Sequence, residues 1–207
     1  MDVIEELASL RVVPVVTIED PGQAVAVAEA LAAGGLPAAE VTFRTDAAVE
    51  AIARIAEALP DFLVGAGTVL NPDMARRAVE AGARFVVAPG YDPGTVAWCQ
   101  YHDVPVIPGV DTPSEVMAAK AQGLTVLKLF PASVLGGPTF LKALSGPFSD
   151  VRFMCTGGVR PSNEAEYLSQ PNVLCVGGTW LTPADALAEG DWARVSQLCR
   201  EAKAAGL

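Results

Sequence analysis

Lys128 lies within Thr125-Val126-Leu127-Lys128-Leu129-Phe130, a run that reads as a strand. Burying an ammonium without a partner is costly. A lysine here therefore needs a buried carboxylate, a path for its head to solvent at the strand end, or a chemical purpose. The chemical purpose is definite in kind. Desolvation disfavours the charged form of a lysine, and a neutral amine attacks a carbonyl carbon to give an imine. The chain has four lysines, and the other three fall elsewhere: Lys120 and Lys142 in helix-like segments, Lys203 in the C-terminal tail. Taken alone, a strand lysine is more often structural than catalytic, so its company decides.

That company starts with Ala38-Ala39-Glu40-Val41-Thr42-Phe43-Arg44-Thr45. Side chains alternate across a strand, so Glu40, Thr42 and Arg44 share one face and Val41 and Phe43 the other. With the apolar pair turned toward helices, the polar trio faces inward. A carboxylate there can shuttle protons between substrate, water and an imine nitrogen. Arg44, nearer the end, can hold a carboxylate in a bidentate pair. The competing reading of Glu40 and Arg44 is an internal salt bridge. Small residues or proline mark four strand ends: Gly65-Ala66-Gly67-Thr68, Ala88-Pro89-Gly90, Thr156-Gly157-Gly158 and Gly177-Gly178-Thr179. Glycine lets backbone amides approach a ligand closely. Amides and hydroxyls can cradle a phosphate with few cations. Thr68 sits where it can bind a carboxylate beside the second strand.

These residues need a scaffold that brings strand ends together. Apolar runs recur about every 20–26 residues: Val12–Val16, Ala38–Phe43, Phe62–Ala66, Arg84–Ala88, Val104–Ile107, Thr125–Phe130, Val151–Cys155 and Val173–Val176. Segments at helical spacing lie between them, such as Gly22–Ala33, Ala47–Leu59 and Pro72–Ala81. Asn71-Pro72 offers an N-cap with proline at the first helical position, and Thr112-Pro113-Ser114-Glu115 has capping-box spacing. Strand–helix alternation repeated eight times predicts an α/β fold, a (β/α)₈ TIM barrel over residues 1–207 as one domain with a C-terminal helix. The alternative is an open doubly wound sheet, but no G-x-G-x-x-G follows the first strand. In a barrel, Thr156-Gly157-Gly158 and Gly177-Gly178-Thr179 follow strands seven and eight, where such folds often bind phosphate.

Composition excludes several classes. The formal charge of -10 argues against nucleic acid, whose phosphates need basic stripes. The acidic start MDVIEELASL lacks the basic and apolar regions of a secretory signal, and no run reaches the length of a spanning helix. Cys99, Cys155, Cys175 and Cys199 form no C-x-x-C pair and read as reduced, buried thiols of a cytoplasmic protein. With one histidine, His102, and no ligand cluster, no metal site is expected.

Together these residues resemble the bacterial 2-keto-3-deoxy-6-phosphogluconate (KDPG) aldolase family, which includes 4-hydroxy-2-oxoglutarate (KHG) aldolases. The resemblance runs from Val13-Pro14-Val15-Val16 to the last helix. Its most specific pieces are Glu40-Val41-Thr42-Phe43-Arg44-Thr45, Gly65-Ala66-Gly67-Thr68-Val69-Leu70-Asn71-Pro72, Lys128-Leu129-Phe130-Pro131-Ala132 and Thr156-Gly157-Gly158. It implies cleavage of KDPG to pyruvate and glyceraldehyde 3-phosphate. Lys128 would form the imine and Glu40 would be the general acid and base. Arg44 and Thr68 would hold the pyruvate carboxylate, with Pro89 and Phe130 beside the pyruvyl group. Thr156, Gly157, Gly158 and Thr179 would form the distal, phosphate-binding side. The resemblance also implies a homotrimer with no metal and no organic cofactor, acting on a small 2-oxo acid and a phosphorylated aldehyde.

The sequence departs from the family pattern in places. Thr179 stands where serine is common, Cys155 where proline often precedes Thr156, Asp111 where a small residue is expected, and Ser133 where glutamate is frequent. Rival readings are an aldolase for the galactonate epimer or for 4-hydroxy-2-oxoglutarate, a phosphate-binding barrel isomerase or synthase, and a non-catalytic sugar-phosphate binder. Arg44 favours the gluconate type, because the galactonate branch tends to lack it. The isomerase and binder readings leave Lys128 and Glu40 unexplained.

Overall fold

The computed structural model describes residues 2–205. Met1, Gly206 and Leu207, the ends of the expected 1–207 domain, lie outside the described residues. Among the described residues nine strands form one sheet: β1 (Val12–Val16), β2 (Ala38–Thr42), β3 (Leu63–Gly67), β4 (Val86–Val87), β5 (Val106–Ile107), β6 (Gly109–Val110), β7 (Val126–Leu129), β8 (Arg152–Cys155) and β9 (Val173–Gly178). Every pairing is parallel, in the order β5-β4-β3-β2-β1-β9-β8-β7-β6. Helices run between the strands, so the architecture is the expected α/β barrel.

The ninth strand arises because the expected strand at Val104–Ile107 runs on and divides at Pro108. Proline has no N–H to give to a ladder. Val106 and Ile107 pair with β4, whereas Gly109 and Val110 pair with β7. The sheet's two edges are thus joined by one residue, and the chain itself closes the barrel. Pro108 keeps its acceptor in use, taking a bond from the Lys128 amide at 2.8 Å.

Period-two alternation sorts each strand between two apolar clusters. Val12, Val41, Val64, Leu127 and Phe153 pack toward the helices. Val13, Ala38, Leu63, Phe85, Val126 and Met154 fill the barrel's interior. The interior cluster also receives α1 (Val3–Leu10), through the fully buried Leu7 and its neighbours Val3, Ile4 and Leu10. This helix was not among the expected elements. It stoppers the N-terminal end of the barrel, and burying Leu7 alone contributes about 1.5–3 kcal/mol.

The opposite end is left to the strand-to-helix loops. Side chains define several helix starts there. Asn71 accepts from the Met74 amide at α4 (Pro72–Glu80), and Asp92 from the Thr95 amide at α5 (Pro93–Tyr101). Thr112 and Glu115 form a reciprocal capping box at α6 (Pro113–Ala121). Each of these helices begins with proline, whose missing N–H costs nothing at that position. At the chain's end, α10 (Trp192–Ala205) lies on α2 (Ala24–Ala33), where Ser196 Oγ donates to the Ala30 carbonyl at 2.8 Å. Among the described residues, no helix is long and apolar enough to cross a membrane.

Candidate active site

The inward set that begins with Ala38 continues to Glu40 and Thr42, and the one that begins with Val126 continues to Lys128 and Phe130. Inside the barrel these two strands face one another across the axis. Lys128 Nζ donates to Glu40 Oε1 at 3.1 Å, and both residues are nearly sealed from solvent, at 4% and 1% exposure. The competing reading of Glu40 and Arg44 was an internal salt bridge. The structure gives Glu40 to Lys128 instead. Arg44 lies past the end of β2, exposed, and takes part in none of the ion pairs among the described residues.

The space for this pair comes from glycines on the neighbouring strand. A Cβ on Gly67 would collide with Glu40 Oε1, and one on Gly65 with the Phe85 ring. Inward glycines of β3 thus make room for Glu40 of β2 and for Phe85 just before β4, as layered barrel packing requires. Gly67→Ala is expected to fold but to push the Glu40 carboxylate aside. A displacement of about 1 Å costs on the order of 10²-fold in rate. Steady-state kinetics beside a thermal melt would check this, and parental turnover would show that the glycine is not needed.

Glu40 Oε2 is buried and has no hydrogen-bond partner in the protein, and the same is true of Thr156 Oγ1. Buried polar atoms are nearly always paired, so these two are the natural partners of a bound molecule. Lys128 Nζ lies 5.3 Å from the centre of the half-buried Phe130 ring, and Pro89, in the loop after β4, is half-buried as well. The β2–β3 register, Thr42 opposite Gly67, sets Thr68 beside the Phe43–Arg44 turn. Thr68 has φ 57°, a left-handed conformation that costs a branched residue about 1–2 kcal/mol. Such strain is characteristic of binding sites.

Past β8, Gly157 and Gly158 both take positive φ, 95° and 82°, which lets the chain turn sharply across the barrel mouth. The turn is tied on both sides. Ser133 donates its amide to the Gly157 carbonyl at 2.9 Å. Asn163 donates Nδ2 to the Gly158 carbonyl at 3.1 Å and accepts the Arg160 amide at 2.8 Å. The sequence reading did not single out Asn163, although an Asn following a glycine turn is a familiar loop brace. Gly177 and Gly178 differ from expectation. They lie inside β9, not in the loop after it, because Val13 and Pro14 continue the ladder to them. Gly177 faces Thr156 Oγ1 and Val15, and a Cβ there would strike the hydroxyl. Thr179 is the first residue past β9 and is exposed.

The departures at the rim have local structural partners. Asp111 gives its amide to Glu115 Oε2 at 2.8 Å. Hydrogen bonding to Glu115, and repulsion from it, hold the Asp111 carboxyl above its usual pKa. Exposed Ser133 lies against Gly158, where a Cβ would collide with its hydroxyl. Cys155 packs in the outer core, and burial pushes its thiol well above its ordinary pKa. Burial likewise takes Cys99 to about 11, and Cys175 and Cys199 to about 12. These thiols are therefore poor nucleophiles, since the thiolate is the reactive form. Among the described residues no cluster of His, Cys, Asp or Glu could hold a metal ion.

A parallel α/β barrel with a buried lysine–carboxylate pair near its C-terminal mouth has the parts of an imine-forming lyase. The family model for KDPG and KHG aldolase matches residues 3–198, and the chain belongs to this family. It is 50% identical over 192 residues to the 2-dehydro-3-deoxy-phosphogluconate aldolase of Pseudomonas aeruginosa, covering 93% of this chain and 87% of the relative. It is 48% identical to the KHG/KDPG aldolase of Escherichia coli K12, covering 92% and 90%. Among solved structures, a KDPG aldolase from Legionella pneumophila with pyruvate captured as a covalent carbinolamine superposes with a TM-score of 0.94, at 40% identity and 97% coverage of both chains.

Proposed function

We propose that this chain is a class I aldolase that cleaves KDPG to pyruvate and glyceraldehyde 3-phosphate through an imine on Lys128. The observation that carries this reading is the sealed Lys128–Glu40 pair, with one carboxylate oxygen on the amine and the other free for a substrate or water. Glu40 takes a proton from Lys128 Nζ, the neutral amine attacks the C2 carbonyl, and the carbinolamine takes that proton back as its hydroxyl leaves as water, giving a protonated imine. Glu40 relays the protons of these steps. Glu40, through a water, then removes the C4 hydroxyl proton. The C3–C4 bond breaks, its electron pair passes into the imine, and the aldehyde leaves. The remaining enamine is protonated at C3, and hydrolysis releases pyruvate and the free amine.

Arg44 and Thr68 hold the pyruvate carboxylate, while Pro89 and Phe130 enclose the pyruvyl group. The amides of Gly157 and Gly158, with the hydroxyls of Thr156 and Thr179, take the phosphate side. Gly177 and Gly178 contribute as the end of β9, Gly177 by leaving room next to Thr156 and Gly178 by leaving room for the Trp180 ring. The same reading makes the chain a single barrel that works as a cytoplasmic homotrimer without metal or organic cofactor. Pyruvate release from KDPG, from its galactonate epimer and from 4-hydroxy-2-oxoglutarate tests the assignment. KDPG is expected to be fastest, and no pyruvate from any of the three would overturn it.

A further inference from the structure

Thr17 is the first residue past β1, half-buried, and its Oγ1 lies 2.9 Å from Thr42 Oγ1. Thr42 is fully buried, and its hydroxyl also reaches the Val16 carbonyl at 3.2 Å. A carbonyl can only accept, so Thr42 spends its single proton on Val16. The proton between the two hydroxyls then comes from Thr17. Thr17 is left with lone pairs alone for anything in the barrel mouth.

Its place on the rim says what those lone pairs meet. The pairing of Val15 with Glu40 and Val16 with Val41 sets Thr17 level with Thr42, one inward step above Glu40. In the sheet, β1 lies between β2 and β9. On the proposed function, the carboxylate end of the substrate lies at β2 and β3 and the phosphate end at β8 and β9. A substrate reaching from one to the other passes β1 with its middle carbons.

We propose that Thr17 is a specificity residue that accepts a hydrogen bond from the C5 hydroxyl of the phosphorylated substrate. KHG has a carboxylate at C5, which carries only acceptors. Facing a hydroxyl locked as an acceptor, that carboxylate is repelled. Thr17 thereby sets the preference between the two substrate types, a role the chemistry of Lys128 and Glu40 does not fill.

This inference rests on the proposed aldolase reading, and the experiment separates the two. The second-order rate constants for KDPG and KHG are measured on the parent and on Thr17→Val, Thr17→Ala and Thr17→Ser. Borohydride trapping with pyruvate is run on each. Valine and alanine both delete the hydroxyl, so the test survives if one of them fails to fold. Either deletion is expected to lower the KDPG constant about 3- to 10-fold, the size of one neutral hydrogen bond, while leaving the KHG constant unchanged or higher. Serine should restore the parental ratio. Trapping should be unaffected, because pyruvate ends before the carbon concerned. Equal loss on both substrates, no loss on KDPG, or weakened trapping in both deletions would overturn the role of Thr17. A parent enzyme that neither cleaves KDPG nor traps pyruvate would instead overturn the aldolase reading.

Discussion

Lys128→Met is expected to slow pyruvate release from KDPG by at least about 10⁴-fold, roughly 5.5 kcal/mol of barrier. Methionine fills the same part of the barrel, so the loss is of the nucleophile and not of the packing. It also strands the Glu40 carboxylate. Breaking a buried ion pair by removing one member costs about 3–5 kcal/mol of stability, and the Lys128–Glu40 pair is almost wholly buried. Two effects should therefore appear together, a lower melting temperature and a vanished turnover. They are told apart by assaying well below the melt, where circular dichroism shows the barrel intact. Turnover near the parental value in folded protein would exclude Lys128 as the imine residue.

The second large effect is at Glu40. Glu40→Gln keeps the size of the side chain and an oxygen that can accept from Lys128, but it cannot carry a proton between substrate and water. Removing a general acid–base group lowers rates by about 10²–10⁴-fold. Stability should change less than in Lys128→Met, since Lys128 Nζ keeps an acceptor. Imine formation with pyruvate should persist in part, because the nucleophile remains. This pattern, slow cleavage with retained trapping, distinguishes a proton-transfer role from a structural one. An unchanged cleavage rate would remove Glu40 from the mechanism.

What the sequence disclosed, and what it hid, follows from the range of each interaction. Lys128 and Glu40 were legible because a charge in an apolar strand is anomalous on local grounds, and alternation fixes which way it faces. The strands themselves were legible for the same reason. Their ends were less so. Whether Gly177 and Gly178 are strand or loop is decided by β1, which pairs with them from the other end of the chain. The division of the fifth strand at Pro108 follows from its having different neighbours on its two sides. The α1 helix had a local signal in Val3, Ile4, Leu7 and Leu10, but its role as a stopper exists only once the barrel does. The Glu40 partner was hidden because the lysine that takes it is 88 residues away. The Thr17–Thr42 bond was hidden in the same way, since two threonines 25 residues apart carry no local mark.

In the proposed mechanism Lys128 carries the substrate as an imine. The most direct measurement is the intact mass of the protein after borohydride reduction in the presence of pyruvate, followed by peptide mapping. One reduced pyruvyl adduct per chain is expected, on the peptide that contains Lys128, and none on the Lys128→Met variant. No adduct on the parent, or an adduct on Lys120, Lys142 or Lys203 in its place, would contradict the mechanism.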